Sequence, residues 1–116
     1  MITVRQAENA TVERPEVHRL DELLGRQLVA AMREHIRAGA YIVLNLEDVQ
    51  YLNSEALGYI TTCARRLMHH HGGLAVCCLQ DGPRGVFRIT RMERVLSGIF
   101  DTEEEALEAL ATPPRR

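Results

Sequence analysis

The sequence of 116 residues is 46% hydrophobic and 26% charged, which is the composition of a single folded domain. Its formal net charge of −2 excludes the strongly basic surface with which a domain binds nucleic acid. No apolar run reaches the roughly 18 residues of a membrane-spanning helix, and the first residues lack the basic-then-apolar order of a signal peptide. We therefore expect a cytoplasmic protein that does not bind membranes.

The first forty residues predict two strands and one helix. Residues 2–5 alternate in polarity and predict an edge strand, and residues 10–13 predict a second strand that is interrupted at Pro15. From Asp21 the apolar residues recur at helical spacing, which predicts a helix out to residue 38 with Gly39 as its stop signal.

The segment 41–60 is the stretch around which we expect the fold to be built. Residues 41–46 are an almost unbroken apolar run, which is typical of a central strand that is covered on both faces. Asn53, Ser54 and Glu55 then signal the start of a helix, because an Asx or Ser side chain accepts from free backbone amides and an acid favours the first turn. The Ser54 hydroxyl therefore lies where amides and the helix dipole stabilise an attached anion.

A second buried strand and a short helix are predicted after this segment. Residues 74–79 form another apolar run, preceded by a Gly-Gly turn. Pro83 begins a helix that ends near Met92, and four of its residues are expected to face the core: Val86, Phe87, Ile89 and Thr90. Three arginines at spacings of four and three would form a basic stripe on this helix, a candidate docking edge: Arg84, Arg88 and Arg91.

The C-terminal part predicts a last edge strand at residues 97–100 and a terminal helix at residues 103–110. Strands that alternate with helices predict an α/β fold with a mixed, mostly parallel sheet of four to five strands and about four α-helices. We expect one domain over residues 1–111 and a disordered C-terminal tail at residues 112–116.

The cysteines and histidines do not predict a metal site. Cys63, Cys77 and Cys78 lie in apolar segments and indicate buried thiols, and the adjacent pair should face opposite sides of its strand. Three consecutive histidines at residues 69–71 point about 100° apart on a helix and do not share one tetrahedral site. We expect no metal and no cofactor.

No catalytic constellation stands out, because the sequence has no glycine-rich phosphate loop and no serine with a histidine and an acid at triad spacing. We therefore expect a protein that is not an enzyme. A small enzyme that uses Cys77 or a histidine as nucleophile or base stays open as an alternative.

The order of apolar strand, acidic turn, helix-start serine, Gly-Gly turn and second apolar strand resembles the STAS-domain anti-sigma factor antagonists of bacterial partner-switching systems. The family's mark is Asp-Ser-x-Gly-Leu-Gly at the start of a helix. Here residues 53–58 read Asn-Ser-Glu-Ala-Leu-Gly, and the match in order and spacing covers residues 26–110.

This resemblance implies the STAS fold and a role as a protein-binding switch that frees a sigma factor for transcription. The implied partner is an anti-sigma factor that is also a serine kinase of the histidine-kinase-fold ATPase type, which phosphorylates Ser54, and a PP2C-type phosphatase reverses the modification. The implied docking surface is the loop and helix start at residues 47–58, and its candidate partner-binding residues are Glu47, Asp48, Asn53, Ser54, Glu55, Leu57, Gly58 and Tyr59.

Three residues depart from the family's mark: Asn53 replaces Asp, Ala56 replaces Gly, and Glu55 adds a permanent negative charge beside Ser54. Two alternatives therefore stay open. Ser54 could be only the N-cap of its helix. The chain could also be a STAS module that is never phosphorylated, with Glu55 as a fixed charge, in a stress-sensing assembly or with a small ligand at the helix start. The sequence also leaves a homodimer open.

Overall fold

Helices pack on both faces of a five-stranded sheet in the computed structural model, which describes residues 1–111. The strands are β1 (Ile2–Gln6), β2 (Thr11–Pro15), β3 (Arg19–Leu20), β4 (Tyr41–Asn45), β5 (Tyr51–Leu52), β6 (Gly73–Cys77) and β7 (Gly98–Phe100). The helices are α1 (Glu22–Arg33), α2 (Ser54–His69), α3 (Asp81–Ile89) and α4 (Glu103–Ala111), with a 3₁₀ turn at Met92–Arg94. The expected tail at residues 112–116 lies outside the described residues.

The main sheet has the strand order β1-β2-β4-β6-β7. Strand β1 is antiparallel to β2, whereas β2, β4, β6 and β7 run parallel to one another. The register places Val43 of β4 between Val12 and Ala75. The prediction of an α/β fold with a mixed, mostly parallel sheet of four to five strands and about four helices is confirmed.

The hydrophobic core lies on both sides of the sheet. Alternate residues of β4 and β6 enter the larger cluster, where they pack with α1, α2 and α3: Ile42, Leu44, Leu74, Val76, Leu28, Met32, Ile60, Leu67 and Phe87. The residues between them enter a smaller cluster under α4: Val12, Val43, Ala75, Cys77, Ala106 and Leu110. Because both central strands are covered on both faces, their sequences read as continuous apolar runs.

Helix α1 ends at Arg33 and not, as predicted, at residue 38. The backbone amides of His35 and Ile36 donate to the carbonyls three residues earlier, so the chain tightens into turns. Gly39 has a φ of +74° and donates to the His70 carbonyl at 2.7 Å. The glycine therefore serves the turn into β4, where the left-handed conformation is needed, and not the end of the helix.

The two-residue strands β3 and β5, which no sequence pattern predicts, pair in parallel and form a separate small sheet. Leu20 of β3 and Leu52 of β5 are buried in the larger cluster. The amides of Gln50 and Tyr51 both donate to the His18 carbonyl, at 2.8 and 3.1 Å. This small sheet ties the chain just before α1 to the chain just before α2.

Helix α3 differs from the prediction in its bounds and in its inward face. It begins at Asp81 and ends at Ile89, so Phe87 is buried as expected but Ile89 is 83% exposed. Thr90 is exposed as well. Arg91 lies beyond the helix with a φ of 55°, so the predicted stripe of Arg84, Arg88 and Arg91 does not form on one helix face.

The prediction that Cys77 and Cys78 face opposite sides of their strand is wrong. Strand β6 ends at Cys77, and Cys78 has a φ of 66°, which turns its side chain to the α4 side of the sheet, where Cys77 also lies. The two sulfur atoms are 3.3 Å apart. Cys63 belongs to the larger cluster on the other side of the sheet.

One carboxylate is buried in the core. Glu13 of β2 is 0% exposed, and among the described residues neither of its carboxylate oxygens has a hydrogen-bond partner. Since Val12 faces α4, Glu13 faces the helices of the larger cluster. Desolvation, with a smaller contribution from the charge of Glu34, raises the pKa of Glu13 to about 8.

Candidate functional site

Asn53, not Ser54, caps helix α2. The Asn53 side-chain oxygen accepts a hydrogen bond from the Ala56 amide at 3.0 Å, and its extended backbone conformation is that of an N-cap residue. Ser54 is the first residue of the helix and is exposed. The alternative in which Ser54 is the N-cap is therefore wrong, and its hydroxyl is not needed to hold the helix end.

Replacing Asn53 by alanine is expected to lower the free energy of unfolding by about 1 kcal/mol, because the Ala56 amide loses its cap. Ser54→Ala at the next position should change it by less than about 0.5 kcal/mol, because this side chain is exposed and makes no cap. Urea unfolding of both variants beside the unchanged protein measures the difference. A larger loss for Ser54→Ala than for Asn53→Ala would contradict the assigned cap.

The start of α2 is anchored to the small sheet. Leu52 pairs with Leu20 and is buried, and the Asn53 amide donates to the Leu20 carbonyl at 3.2 Å. One residue later the chain emerges with the Ser54 side chain in solvent. The exposed Ser54 side chain is therefore carried by a backbone that is hydrogen-bonded to the small sheet on its inner side.

Helix α1 contacts Tyr59 of α2 through Arg26 and Gly25. The Arg26 guanidinium donates to the Tyr59 hydroxyl at 3.0 Å and to Glu22 at 2.7 Å. The hydrogen bond to Tyr59 and, second to it, the hydrogen bond to Glu22 raise the pKa of Arg26 above its ordinary value. A Cβ at Gly25 would lie 2.8 Å from a Tyr59 ring carbon, so the glycine gives the ring its place between the helices.

The predicted partner-binding residues of α2 do not all reach the surface. Glu55 and Gly58 are exposed and Tyr59 is half-buried, so they share the accessible side of the helix start with Ser54. Leu57 is only 8% exposed and packs in the larger cluster. Its side chain supports the surface from below and offers little area to a partner.

Glu47 and Asp48 form ion pairs with Arg14 of β2. The Arg14 guanidinium donates to both carboxylate oxygens of Asp48, at 2.8 and 3.1 Å, and lies 3.4 Å from a Glu47 oxygen. The hydrogen bond from Arg14 holds the pKa of Asp48 below its usual range. Arg14 was absent from the sequence interpretation, because 34 residues separate it from Asp48 and no local pattern links them.

Tyr51 is a further exposed group beside the helix start. This residue is 48% exposed, and the Arg19 guanidinium lies 4.7 Å from the centre of its ring. Both residues belong to the small sheet, which no sequence pattern predicted. Tyr51 therefore adds an aromatic edge near Ser54.

A cleft lies away from Ser54, above the α4 side of the sheet. It has a volume of about 580 Å³, and its walls include Arg5, Arg14, Asn45, Cys78 and Glu103. Arg5 forms an ion pair with Glu103, and the Asn45 amide donates to Glu103 at 2.9 Å. The charges of Arg5, Arg14 and Glu103 on this cleft are therefore paired within the chain.

Two features are absent from residues 1–111. No cluster of three or more His, Cys, Asp or Glu side chains in this part of the chain is placed to hold a metal ion. None of its helices has the length and apolar character that crossing a membrane requires.

The comparisons with known proteins agree with this architecture. A STAS domain protein from Planctomyces limnophilus, described as an anti-sigma factor antagonist, shares 22% identity over 96% of this chain and 98% of its own, with a TM-score of 0.85. The antagonist SpoIIAA in its unphosphorylated form shares 21% identity over 99% of this chain and 100% of its own, with a TM-score of 0.80. The Bacillus cell fate determinant SpoIIAA in its phosphorylated form shares 22% identity over 95% of this chain and 99% of its own, with a TM-score of 0.73.

At these identities the solved structures establish the fold. No curated protein matches the chain. The STAS domain model matches residues 18–106, a range that contains α1, α2 and the whole Ser54 region. The chain therefore belongs to the STAS domain family.

Proposed function

We propose that this protein is an anti-sigma factor antagonist that binds its partner through the start of α2 and is released by phosphorylation of Ser54. The observation that carries the proposal is the exposed Ser54 hydroxyl at the first position of α2, with the capping bond supplied by Asn53. A kinase can modify this hydroxyl without breaking a bond that holds the helix.

The physical effect of the modification favours a switch. A phosphoryl group adds about −1.5 to −2 charges at neutral pH. At a helix N-terminus the free amides and the dipole stabilise such an anion, so the domain keeps its fold. A partner that is packed against the same surface must bury that charge, so the complex weakens.

The docking surface consists of the exposed and half-buried residues at the start of α2, with α1 and the small sheet as its borders. Its members are Asn53, Ser54, Glu55, Gly58, Tyr59 and Tyr51. Glu47 and Asp48 belong to its edge, where their pairing with Arg14 holds the preceding loop. Leu57 is the buried support of this surface and not a contact.

The partner is an anti-sigma factor with serine kinase activity, of the histidine-kinase-fold ATPase type, and a PP2C-type phosphatase restores the free hydroxyl. Incubation with the cognate kinase and ATP is expected to raise the mass of the protein by about 80 Da, the mass of one phosphoryl group. Ser54→Ala should show no gain, and the phosphatase should reverse the gain in the unchanged protein. Mass spectrometry of the intact chain measures all three.

A second candidate function rests on Glu55, which is exposed beside Ser54 in the first turn. Here Glu55 is a fixed negative charge in a STAS interaction module that is not phosphorylated. The same experiment separates the two functions, because no mass gain at Ser54 with an active kinase contradicts the switch and favours this module.

Gly58→Ala is expected to stabilise the fold and at the same time to weaken binding of the anti-sigma factor. Gly58 lies inside α2 and a Cβ would meet nothing within 4 Å, so the substitution should raise the free energy of unfolding by about 0.5 to 1 kcal/mol. Its added methyl group stands on the docking surface, so binding of the anti-sigma factor should weaken about tenfold through lost close contact.

Gly85→Ala is the matched control for this pair of measurements. Gly85 also lies inside a helix, α3, with nothing within 4 Å of a Cβ, but it lies outside the docking surface. Gly85→Ala should stabilise the fold and leave binding unchanged. Equal affinities of both variants for the anti-sigma factor in calorimetry would show that Gly58 is not part of the docking surface.

A further inference from the structure

Cys77 and Cys78 form a close pair of thiols on one side of the sheet. Adjacent residues of a regular strand point to opposite faces, which would keep their sulfur atoms apart. Here the left-handed backbone at Cys78 turns its side chain back, and its thiol donates to the Cys77 sulfur at 3.3 Å. The pair therefore has the proximity that formation of a sulfur–sulfur bond requires.

The two sulfur atoms differ in access. Cys77 is fully buried in the smaller cluster, whereas Cys78 is half-buried and lies on the wall of the 580 Å³ cleft above the α4 side of the sheet. Burial, with the hydrogen bond from Cys78 as a second cause, raises the pKa of Cys77. An oxidant in the cleft therefore reaches the Cys78 sulfur first, and the buried Cys77 thiol can react only with Cys78.

The backbone that creates the pair has an energetic cost. A residue with a side chain in the left-handed region is less stable than glycine there by about 1 to 2 kcal/mol. The conformation is held by backbone hydrogen bonds from Cys78 to Phe100 and from Leu46 to Cys77, both of 3.1 Å. Strain of this kind is concentrated at functional positions.

We propose that Cys77 and Cys78 are a redox modification site, which a two-electron oxidant of the peroxide class converts reversibly to a disulfide between adjacent residues. The Cys78 sulfur, as thiolate, attacks one peroxide oxygen, the oxygen–oxygen bond breaks and hydroxide leaves, which gives a sulfenic acid. The Cys77 sulfur then attacks the Cys78 sulfur, the sulfur–oxygen bond breaks and water leaves. In sum, two thiols and one hydrogen peroxide give one disulfide and two waters.

The covalent geometry of neighbouring residues makes this bond easy to reduce. Consecutive Cα atoms are about 3.8 Å apart, whereas the Cα atoms of ordinary disulfides are about 4.4 to 6.8 Å apart. A disulfide that departs from the ordinary geometry is more reducible, and such bonds are the labile, regulatory ones. A thiol reductant should therefore restore the pair.

Cys63 serves as the internal control. It is buried in the larger cluster on the other side of the sheet, and burial raises its pKa to about 11. The sheet separates it from the pair, so it should stay a thiol while the pair is oxidised.

The test is mild treatment of the native protein with hydrogen peroxide, followed by intact mass measurement and thiol titration under denaturing conditions. The mass should fall by about 2 Da through loss of two hydrogens, and dithiothreitol should reverse the change. The titrated thiols should fall from the three of the reduced chain to one. Cys63→Ala should lose about 2 Da in the same way.

Two variants of the pair distinguish this reaction from unrelated oxidation. Cys78→Gly suits the left-handed backbone, so it should fold and show no mass loss. Cys77→Ala should stop at the sulfenic acid, a gain of about 16 Da that a sulfenic-acid reagent captures. A 2 Da loss that persists in either variant, or an unchanged protein whose cysteines form only links between chains, would overturn the proposal.

Discussion

Glu13→Gln is expected to remove most of the pH dependence of stability between pH about 4.5 and 8. In the folded chain burial raises the pKa of Glu13 to about 8, whereas the unfolded chain has the ordinary value of 4.5. Between these values only the folded state holds the proton, so the free energy of unfolding falls as pH rises, by up to about 1.4 kcal/mol per pH unit. The loss reaches about 3 kcal/mol at neutral pH and levels off above the folded pKa.

Urea unfolding at several pH values in this range measures the effect as the difference between the variant and the unchanged protein. Other groups that titrate contribute equally to both and cancel in the difference. Glu8→Gln is the matched control, because Glu8 is exposed in the turn between β1 and β2 and should leave the slope unchanged. A slope for Glu13→Gln as steep as that of the unchanged protein would show that Glu13 is ionised inside the fold.

Ser54→Asp is expected to weaken binding of the anti-sigma factor at least tenfold, or about 1.4 kcal/mol, without loss of stability. The negative charge stands at the first position of α2, where the helix dipole favours it, so the domain itself tolerates the change. The partner surface has no such compensation and must desolvate the charge. Calorimetric titration of the partner measures the affinity, and urea unfolding measures the stability.

Two variants show whether the site of the charge matters. Ser54→Ala removes the hydroxyl without adding charge and should bind as the unchanged protein does. Gln27→Glu adds one negative charge to an exposed position of α1, one residue after Arg26 and so about 100° around the helix from the Tyr59 contact. Equal affinities for Ser54→Asp and the unchanged protein would refute the charge-gated switch, and equal losses in Ser54→Asp and Gln27→Glu would reduce it to a general effect of net charge.

The parts of the fold that the sequence predicted are those with local patterns. The runs at β4 and β6 are apolar without interruption because both faces of each strand are covered, and each strand was found within two residues of its predicted bounds. The start of α2 was marked by Asn53, Ser54 and Glu55, whose preferences at a helix N-terminus need no distant partner. The Ser54 region could therefore be located, although not which residue is the cap.

The parts that could not be predicted depend on residues far apart in the chain or on single backbone angles. The strands β3 and β5 have two residues each, too few for any periodicity. Glu13 has a polar side chain in a strand, and only the packing of α1 and α2 over the sheet makes it buried. The positive φ of Cys78 reverses the alternation on which its predicted orientation rested.

The small sheet of β3 and β5 has a mechanical consequence for recognition. Leu20 lies two residues before α1 and Leu52 two residues before α2, and the two are paired. The first turns of both helices are thus joined by the two residue pairs of this small sheet. A partner that displaces the start of α2 is therefore expected to displace the start of α1 as well, because Leu52 pairs with Leu20 and the Asn53 amide donates to the Leu20 carbonyl.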